Sequence, residues 1–91
     1  MTQTAHVEIY FSSWCPFCRW AKALLDRKQI EYTLYNVDQD ANRRQEMTQR
    51  SQRTSVPQIF IDQQSIGGFD DLSNLDRSGQ LDQLLTGTPS H

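Results

Sequence analysis

Two cysteines, three positions apart, constrain this chain more than any other feature. Residues 14–18 read Trp-Cys-Pro-Phe-Cys, and Cys15 and Cys18 are the only cysteines among its 91 residues. An alternating apolar segment at residues 7–11 precedes them and a helical pattern follows, which predicts a strand, a tight connection and a helix that begins at the pair. A helix start offers unpaired backbone N–H groups and the positive end of the helix dipole, and both favour a thiolate over a thiol.

The spacing of the cysteines predicts different roles for the two sulfur atoms. Residues three apart lie on one helix face, with Cys15 before the first turn and Cys18 inside it. Pro16 suits the first helical position, where no backbone N–H is needed. Because thiolates attack disulfides, we expect an exposed Cys15 to be the nucleophile and a more buried Cys18 to be the resolving thiol. The alternatives are a structural disulfide, which gains little entropy from so small a loop, and a zinc site, which would need both His6 and His91. We therefore expect no metal site.

Composition indicates one small domain, residues 1–91, with a core at about residues 7–85 and frayed ends such as residues 86–91. Hydrophobic residues make up 36% of the chain and the net charge is −2, so bulk attraction to nucleic acid or to a membrane is not expected. The N-terminus has no signal-peptide character, and no segment is apolar enough to span a bilayer. Free cysteines without a secretion signal indicate a reducing compartment, so we expect a cytoplasmic protein.

The apolar pattern predicts strands and helices in the order β-α-β-α-β-β-α. A helix joins the first two strands, so we expect them to be parallel, whereas a tight turn joins the last two, so we expect them to be antiparallel. The result is an α/β fold with a mixed four-stranded sheet and helices on both faces. The predicted strands cover residues 7–11, 30–37, 58–61 and 65–66, and the predicted helices cover residues 16–28 and 41–52, followed by one or two closing helices in residues 72–85.

Three separated motifs occur in order along the chain. They are Cys-Pro-Phe-Cys at residues 15–18, Ser-Val-Pro-Gln-Ile-Phe-Ile at residues 55–61 and Gly-Gly-Phe-Asp-Asp-Leu at residues 67–72. Together they resemble the motifs of the glutaredoxins. The resemblance extends over about residues 7–85 and implies a thioredoxin-like fold. It also implies a dithiol enzyme that reduces protein disulfides and glutathione mixed disulfides, with glutathione as the electron donor.

The resemblance also implies where glutathione binds. A cis Val56–Pro57 bond would present the Val56 backbone to the cysteinyl part of glutathione, although from the residues alone Pro57 is more simply a proline at a strand start. The helix start after the two glycines offers N–H groups to the γ-glutamyl carboxylate, and one aspartate there can hold the ammonium while the other caps the helix. The expected glutathione-binding residues are Phe17, Ser55, Val56, Pro57, Gly68, Asp70 and Asp71.

One departure from the family concerns a cation. Glutaredoxins usually carry a lysine a few residues before the first active cysteine, but this chain has Ser12-Ser13-Trp14 there. Arg44 on the second predicted helix is a candidate to bind the glycine carboxylate of glutathione instead, and Ser12 is included in the site as the neighbouring position. The alternative is that the arginines of residues 43–53 form a solvated face.

Two other functions are compatible with the resemblance. A carrier of a glutathione-ligated [2Fe–2S] cluster is disfavoured by Pro16, since cluster-holding relatives tend to have Ser or Gly there. A glutathione-independent redoxin reduced by thioredoxin reductase is disfavoured by the Gly67–Asp71 turn. We expect a monomer without a tightly bound cofactor. Its expected partners are glutathione and disulfide-containing or glutathionylated proteins, with ribonucleotide reductase among the targets that fit. Trp14 is expected at the rim of the site, and Trp20 is expected to serve in packing only.

Overall fold

The structure, a computed structural model, describes residues 4–86 and contains the predicted mixed sheet. The strand order is β2-β1-β3-β4, with β1 parallel to β2 and antiparallel to β3, and with β4 antiparallel to β3. The elements in chain order are β1 (Val7–Phe11), α1 (Pro16–Arg27), β2 (Thr33–Asn36), α2 (Ala41–Ser51), β3 (Gln58–Ile61), β4 (Gln64–Gly67), α3 (Phe69–Ser78) and α4 (Gln80–Thr86).

Helices cover both faces of the sheet, as predicted. Val7 and Ile9 of β1 point towards α1, α3 and α4 and join the larger apolar core with residues such as Leu25. Tyr10 points the other way and packs with Met47 of α2 in a second core. Both faces of β1 are therefore buried, although its sequence alternates between apolar and polar residues.

A charged group lies under α2. Glu8 is buried, and both of its carboxylate oxygens accept hydrogen bonds from Arg50, at 3.0 and 3.1 Å. Tyr35 donates a further hydrogen bond to Glu8 at 2.9 Å, and Arg50 donates to the Tyr10 hydroxyl at 2.8 Å while its guanidinium lies 4.0 Å from the centre of the Phe60 ring. The bond from Arg50 holds the pKa of Glu8 below its usual value of 4.5 against the opposing effect of burial. α2 is thus fastened to the sheet by an ion pair as well as by Met47.

The second strand is shorter than its apolar sequence suggests. Residues 30–37 are predicted, but β2 begins at Thr33 and ends at Asn36. Ile30 lies instead in the turn that follows α1. Gln29 in this turn has a φ of 59°, and the Ile30 N–H donates to the Leu25 carbonyl at 3.0 Å. Val37 is buried in the core beneath α2. Both apolar ends of the predicted strand are core positions outside the strand itself.

Two closing helices follow β4, so the element order is β-α-β-α-β-β-α-α. Gly79, with a φ of 84°, ends α3, and α4 begins at the next residue. We expected residues 86–91 to form a frayed tail. Thr86 is the last residue of α4, and residues 87–91 lie outside the described part of the chain. No helix within residues 4–86 is long and apolar enough to cross a bilayer.

The ion pair of Arg50 makes a prediction about stability. Arg50→Gln leaves the buried Glu8 carboxylate without its cation, so the free energy of unfolding near pH 7 should fall by about 2–4 kcal/mol. The lowered pKa of Glu8 means that the ion pair stabilises the fold above the unfolded pKa of this carboxyl and loses its effect as the pH falls through the folded pKa. In urea unfolding, the free energy of unfolding of Arg50→Gln should therefore differ less from that of the parent at acidic pH than at neutral pH.

The matched control is Arg27→Gln, which removes the same charge from an exposed position at the end of α1. It should change the free energy of unfolding by less than about 0.5 kcal/mol at either pH. Equal effects of the two substitutions at neutral pH would show that the ion pair with Glu8 contributes nothing specific.

Candidate active site

Cys15 occupies the N-cap of α1, directly after the connection from β1. Its sulfur accepts a hydrogen bond from the Cys18 backbone N–H at 3.1 Å, in the position that a Ser or Asp oxygen usually takes at a helix start. As a thiol, Cys15 donates to the Val56 carbonyl at 3.6 Å. Cys15 is partly exposed, whereas Cys18 is buried. The first cysteine is therefore both accessible and in contact with a backbone N–H of the first helical turn.

Cys18 lies in a different environment one turn later. Its side chain is 1% exposed. Burial, together with the hydrogen bond to Cys15, raises the pKa of Cys18 to about 12. A buried thiol with so high a pKa remains protonated at neutral pH and is a poor attacking group. This geometry supports Cys15 as nucleophile and Cys18 as the thiol that acts second.

The Val56–Pro57 segment faces the cysteines. The peptide bond between these residues is cis, as the resemblance implies. β3 begins immediately afterwards at Gln58, whose position opposite Tyr10 sets this segment beside the end of β1. The Val56 carbonyl consequently reaches the Cys15 sulfur, and the main chain here is available to a peptide-like ligand.

The glycine pair and Asp71 form one unit. Gly67 has a φ of 115°, and a Cβ on it would lie 2.2 Å from Asp71 Oδ2, so only glycine fits. Gly68 precedes α3, and its N–H donates to the same Oδ2 at 3.1 Å. Asp71 is therefore the aspartate that caps the helix. Arg53 also contacts Oδ2, at 3.3 Å. Within the described residues, the Gly68 N–H and the Arg53 side chain both contact Oδ2 of Asp71. The other carboxylate oxygen, Oδ1, contacts neither of them.

A groove with a volume of about 230 Å³ joins the three motifs. Three residues that the sequence reasoning missed also line it: Arg53, Gln58 and Phe69. Sequence reasoning did not single out Arg53, because it lies in a run of arginines and such a run is typical of a solvated face. Seven of the residues expected to bind glutathione line this groove: Phe17, Ser55, Val56, Pro57, Gly68, Asp70 and Asp71.

Ser12 and Arg44 are brought together by Asp38, outside this groove. The Ser12 hydroxyl donates to Asp38 at 2.6 Å, the Ser13 N–H donates to it at 3.1 Å, and Arg44 pairs with it at 3.6 Å. The bonds from Ser12 and Ser13 lower the pKa of Asp38. Arg44 thus already has an acidic partner in the described structure. Within residues 4–86, no group of three or more His, Cys, Asp or Glu side chains is arranged to hold a metal ion.

Three aromatic side chains near the cysteines in the sequence are exposed. Trp14 is 87% exposed, Phe17 is 49% exposed and Trp20 is 52% exposed. Trp14 is not among the residues that line the groove, so its expected place at the rim stays a prediction. Trp20 packs against the rings of Phe17 and Phe69, as expected, but half of its side chain remains open to solvent.

An accessible thiol at a helix start, a buried thiol one turn later and a facing cis-proline define a dithiol oxidoreductase with a thioredoxin-like fold. Comparison with known proteins agrees. The sequence profile described as Glutaredoxin matches residues 7–66. Glutaredoxin 3 of Escherichia coli strain K12 is 54% identical over 81 residues, which covers 89% of this chain and 98% of that protein.

Solved structures give the same result. The buckwheat glutaredoxin–glutathione complex superimposes with a TM-score of 0.84 at 25% identity, over 94% of this chain and 81% of that one. The solution structure of glutaredoxin from Brucella melitensis has a TM-score of 0.81 at 42% identity, over 94% of each chain. The chain belongs to the glutaredoxin family and is a thiol–disulfide oxidoreductase.

Proposed function

We propose that this glutaredoxin uses glutathione as its electron donor and binds it in the groove beside Cys15. The observation that carries the proposal is that all three motifs line one groove, with the Val56 carbonyl 3.6 Å from the Cys15 sulfur. The Val56 main chain pairs with the cysteinyl part of glutathione, and the backbone N–H groups at the start of α3 hold the γ-glutamyl carboxylate. The complex of buckwheat glutaredoxin with glutathione supports this assignment.

The reaction on a glutathione mixed disulfide needs only Cys15. Its thiolate attacks the glutathionyl sulfur, a Cys15–glutathione disulfide forms, and the substrate thiolate leaves and takes a proton from water. A second glutathione then attacks the same glutathionyl sulfur, which releases oxidised glutathione and restores Cys15. On a protein disulfide, Cys15 first joins the substrate. Cys18 then displaces it, and two glutathione molecules reduce the resulting Cys15–Cys18 disulfide.

Substitution of each cysteine tests this division of labour. Cys15→Ser should abolish reduction of all disulfides, because no attacking thiolate remains. Cys18→Ser should retain activity on a glutathione mixed disulfide but lose reduction of protein disulfides that require a resolving thiol. The measurement is NADPH consumption coupled through glutathione and glutathione reductase, with thioredoxin reductase replacing both in a parallel assay.

Two results would contradict the proposal. Activity of the parent protein with thioredoxin reductase but not with glutathione would refute the donor. Retained activity in Cys15→Ser together with complete loss in Cys18→Ser would reverse the roles of the two cysteines.

Asp71 offers a test of the groove. We propose that its carboxylate holds the γ-glutamyl ammonium while it caps α3. Asp71→Asn keeps an oxygen for the Gly68 N–H but removes the charge, so the KM for glutathione should rise about threefold to tenfold, as for a partly exposed charge-assisted hydrogen bond. Reduction of a small disulfide with dithiothreitol as the donor should change little, because Cys15 is untouched.

The matched comparison is Asp70→Asn, one residue earlier in the same turn. Asp70 is exposed, and we assign its part in binding to its backbone N–H, which the substitution keeps. Its effect on the KM for glutathione should therefore be the smaller of the two. An Asp71→Asn protein with normal stability and an unchanged KM would show that Asp71 is a helix cap alone.

Arg53 and Arg44 are the two candidates to replace the missing lysine. Both arginines have an acidic partner, but Arg53 pairs with Asp71 in the groove, whereas Arg44 pairs with Asp38 outside it. We propose that Arg53 supplies the cation for a glutathione carboxylate. Arg53→Gln should raise the KM for glutathione about threefold at low ionic strength and less in high salt, because salt screens exposed charges. Arg44→Gln is the matched variant. An increase in KM with Arg44→Gln alone would favour the expectation from sequence and leave Arg53 as a surface partner of Asp71.

A further inference from the structure

Three aromatic rings form an exposed patch beside the active site. Phe17 and Trp20 meet edge to face with ring centres 5.0 Å apart, and Phe69 lies 5.8 Å from Trp20 and 6.4 Å from Phe17. About half of each of the Phe17 and Trp20 side chains is exposed. We call these three residues the aromatic patch. Contiguous apolar patches on a protein surface are candidate sites of interaction, whereas apolar residues that are exposed singly are ordinary.

The patch continues the groove away from the sulfur atoms. Phe17 and Phe69 line the groove, whereas Trp20 is not among its lining residues. Phe17 lies in the first turn of α1 with Cys15 just before it, and Phe69 is the first residue of α3. A ligand that fills the groove therefore covers one side of Phe17 and Phe69 but leaves Trp20 exposed. A protein substrate is larger than the groove, so the residues beside its reacting cysteine are candidates to contact Trp20 as well as Phe17 and Phe69.

The patch by itself is too small to carry a stable interface with a second copy of this chain. Whole aromatic side chains bury 150–250 Å² each, so three partly exposed rings offer roughly 200–300 Å². A stable interface needs about 800 Å² on each partner. The area available matches one or two apolar side chains.

We propose, extending the oxidoreductase function above, that the aromatic patch binds an apolar or aromatic side chain that flanks the reacting cysteine of a protein substrate. Glutathione specificity then resides in the groove, and preference among protein substrates resides in the patch. A substitution of Trp20 tests the patch without changing the groove, because Trp20 belongs to the patch and does not line the groove.

A chromogenic assay without glutathione tests the patch directly. The substrates are two peptides that carry thionitrobenzoate on their single cysteine and differ only in the flanking residues, phenylalanine in one and serine in the other. In a Cys18→Ser protein, the Cys15 thiolate attacks the peptide sulfur, a Cys15–peptide disulfide forms, and coloured thionitrobenzoate leaves with the electron pair of the broken bond. The initial rate of colour release at several peptide concentrations gives a second-order rate constant for each peptide.

The Cys18→Ser protein should react faster with the phenylalanine peptide than with the serine peptide. Trp20→Gln should reduce this preference about threefold to tenfold, the range of a lost aromatic contact, and Trp20→Phe should restore most of it. The control is Leu34→Gln, which changes an exposed apolar residue on the edge strand β2 and should leave the preference intact.

Two results would overturn the proposal: equal rates for the two peptides in the Cys18→Ser protein, or the same fractional loss for both peptides in Trp20→Gln. Because the assay contains no glutathione, it separates this proposal from the proposed donor. A protein that prefers the phenylalanine peptide here but fails with glutathione in the coupled assay would support the patch and refute only glutathione as donor.

Discussion

The antiparallel pairing of β1 with β3 is the constraint on which the site depends. β1 leads towards Cys15 and β3 starts after Pro57, and the register sets Tyr10 opposite Gln58, so the end of one strand lies beside the start of the other. β4 is antiparallel to β3 and sets Gly67 opposite Ile59, so the glycine pair lies at the same end of the strands as Cys15 and Pro57. Main-chain hydrogen bonds thus assemble segments that are some forty residues apart in the chain.

The different environments of the two thiols agree with the proposed order of the reaction. Burial, and after it the interaction with the Cys15 sulfur, raises the pKa of Cys18. Cys15 is partly exposed and Cys18 is buried, so a substrate disulfide meets the Cys15 sulfur first. The hydrogen bond of 3.1 Å from the Cys18 N–H to the Cys15 sulfur keeps the second cysteine next to the first for the step that the proposed function assigns to it.

Sequence reasoning succeeded where function is encoded by a local motif and failed where it depends on tertiary contacts. The exposure of Cys15 and the burial of Cys18 follow from their spacing at a helix start, and the glycine turn follows from a backbone that only Gly67 can adopt. In contrast, nothing in the helical pattern of α2 distinguishes Arg50, whose partner Glu8 lies on β1, from Arg44, whose partner is Asp38. The partner of Arg50 becomes visible only after the sheet has formed. The exposure of Trp20 likewise depends on where α3 packs.

The groove and the aromatic patch differ in how freely they can change. Asp71 holds the turn through the Gly68 N–H, and its carboxylate leaves no room for any side chain at Gly67, so a side chain added at Gly67 would disturb the fold as well as the groove. Trp20 carries no comparable duty, since half of its side chain is exposed and its ring contacts are with Phe17 and Phe69. Under the two proposals, preference for protein substrates can vary at the surface of α1, while the glutathione site stays tied to the main-chain geometry of the groove.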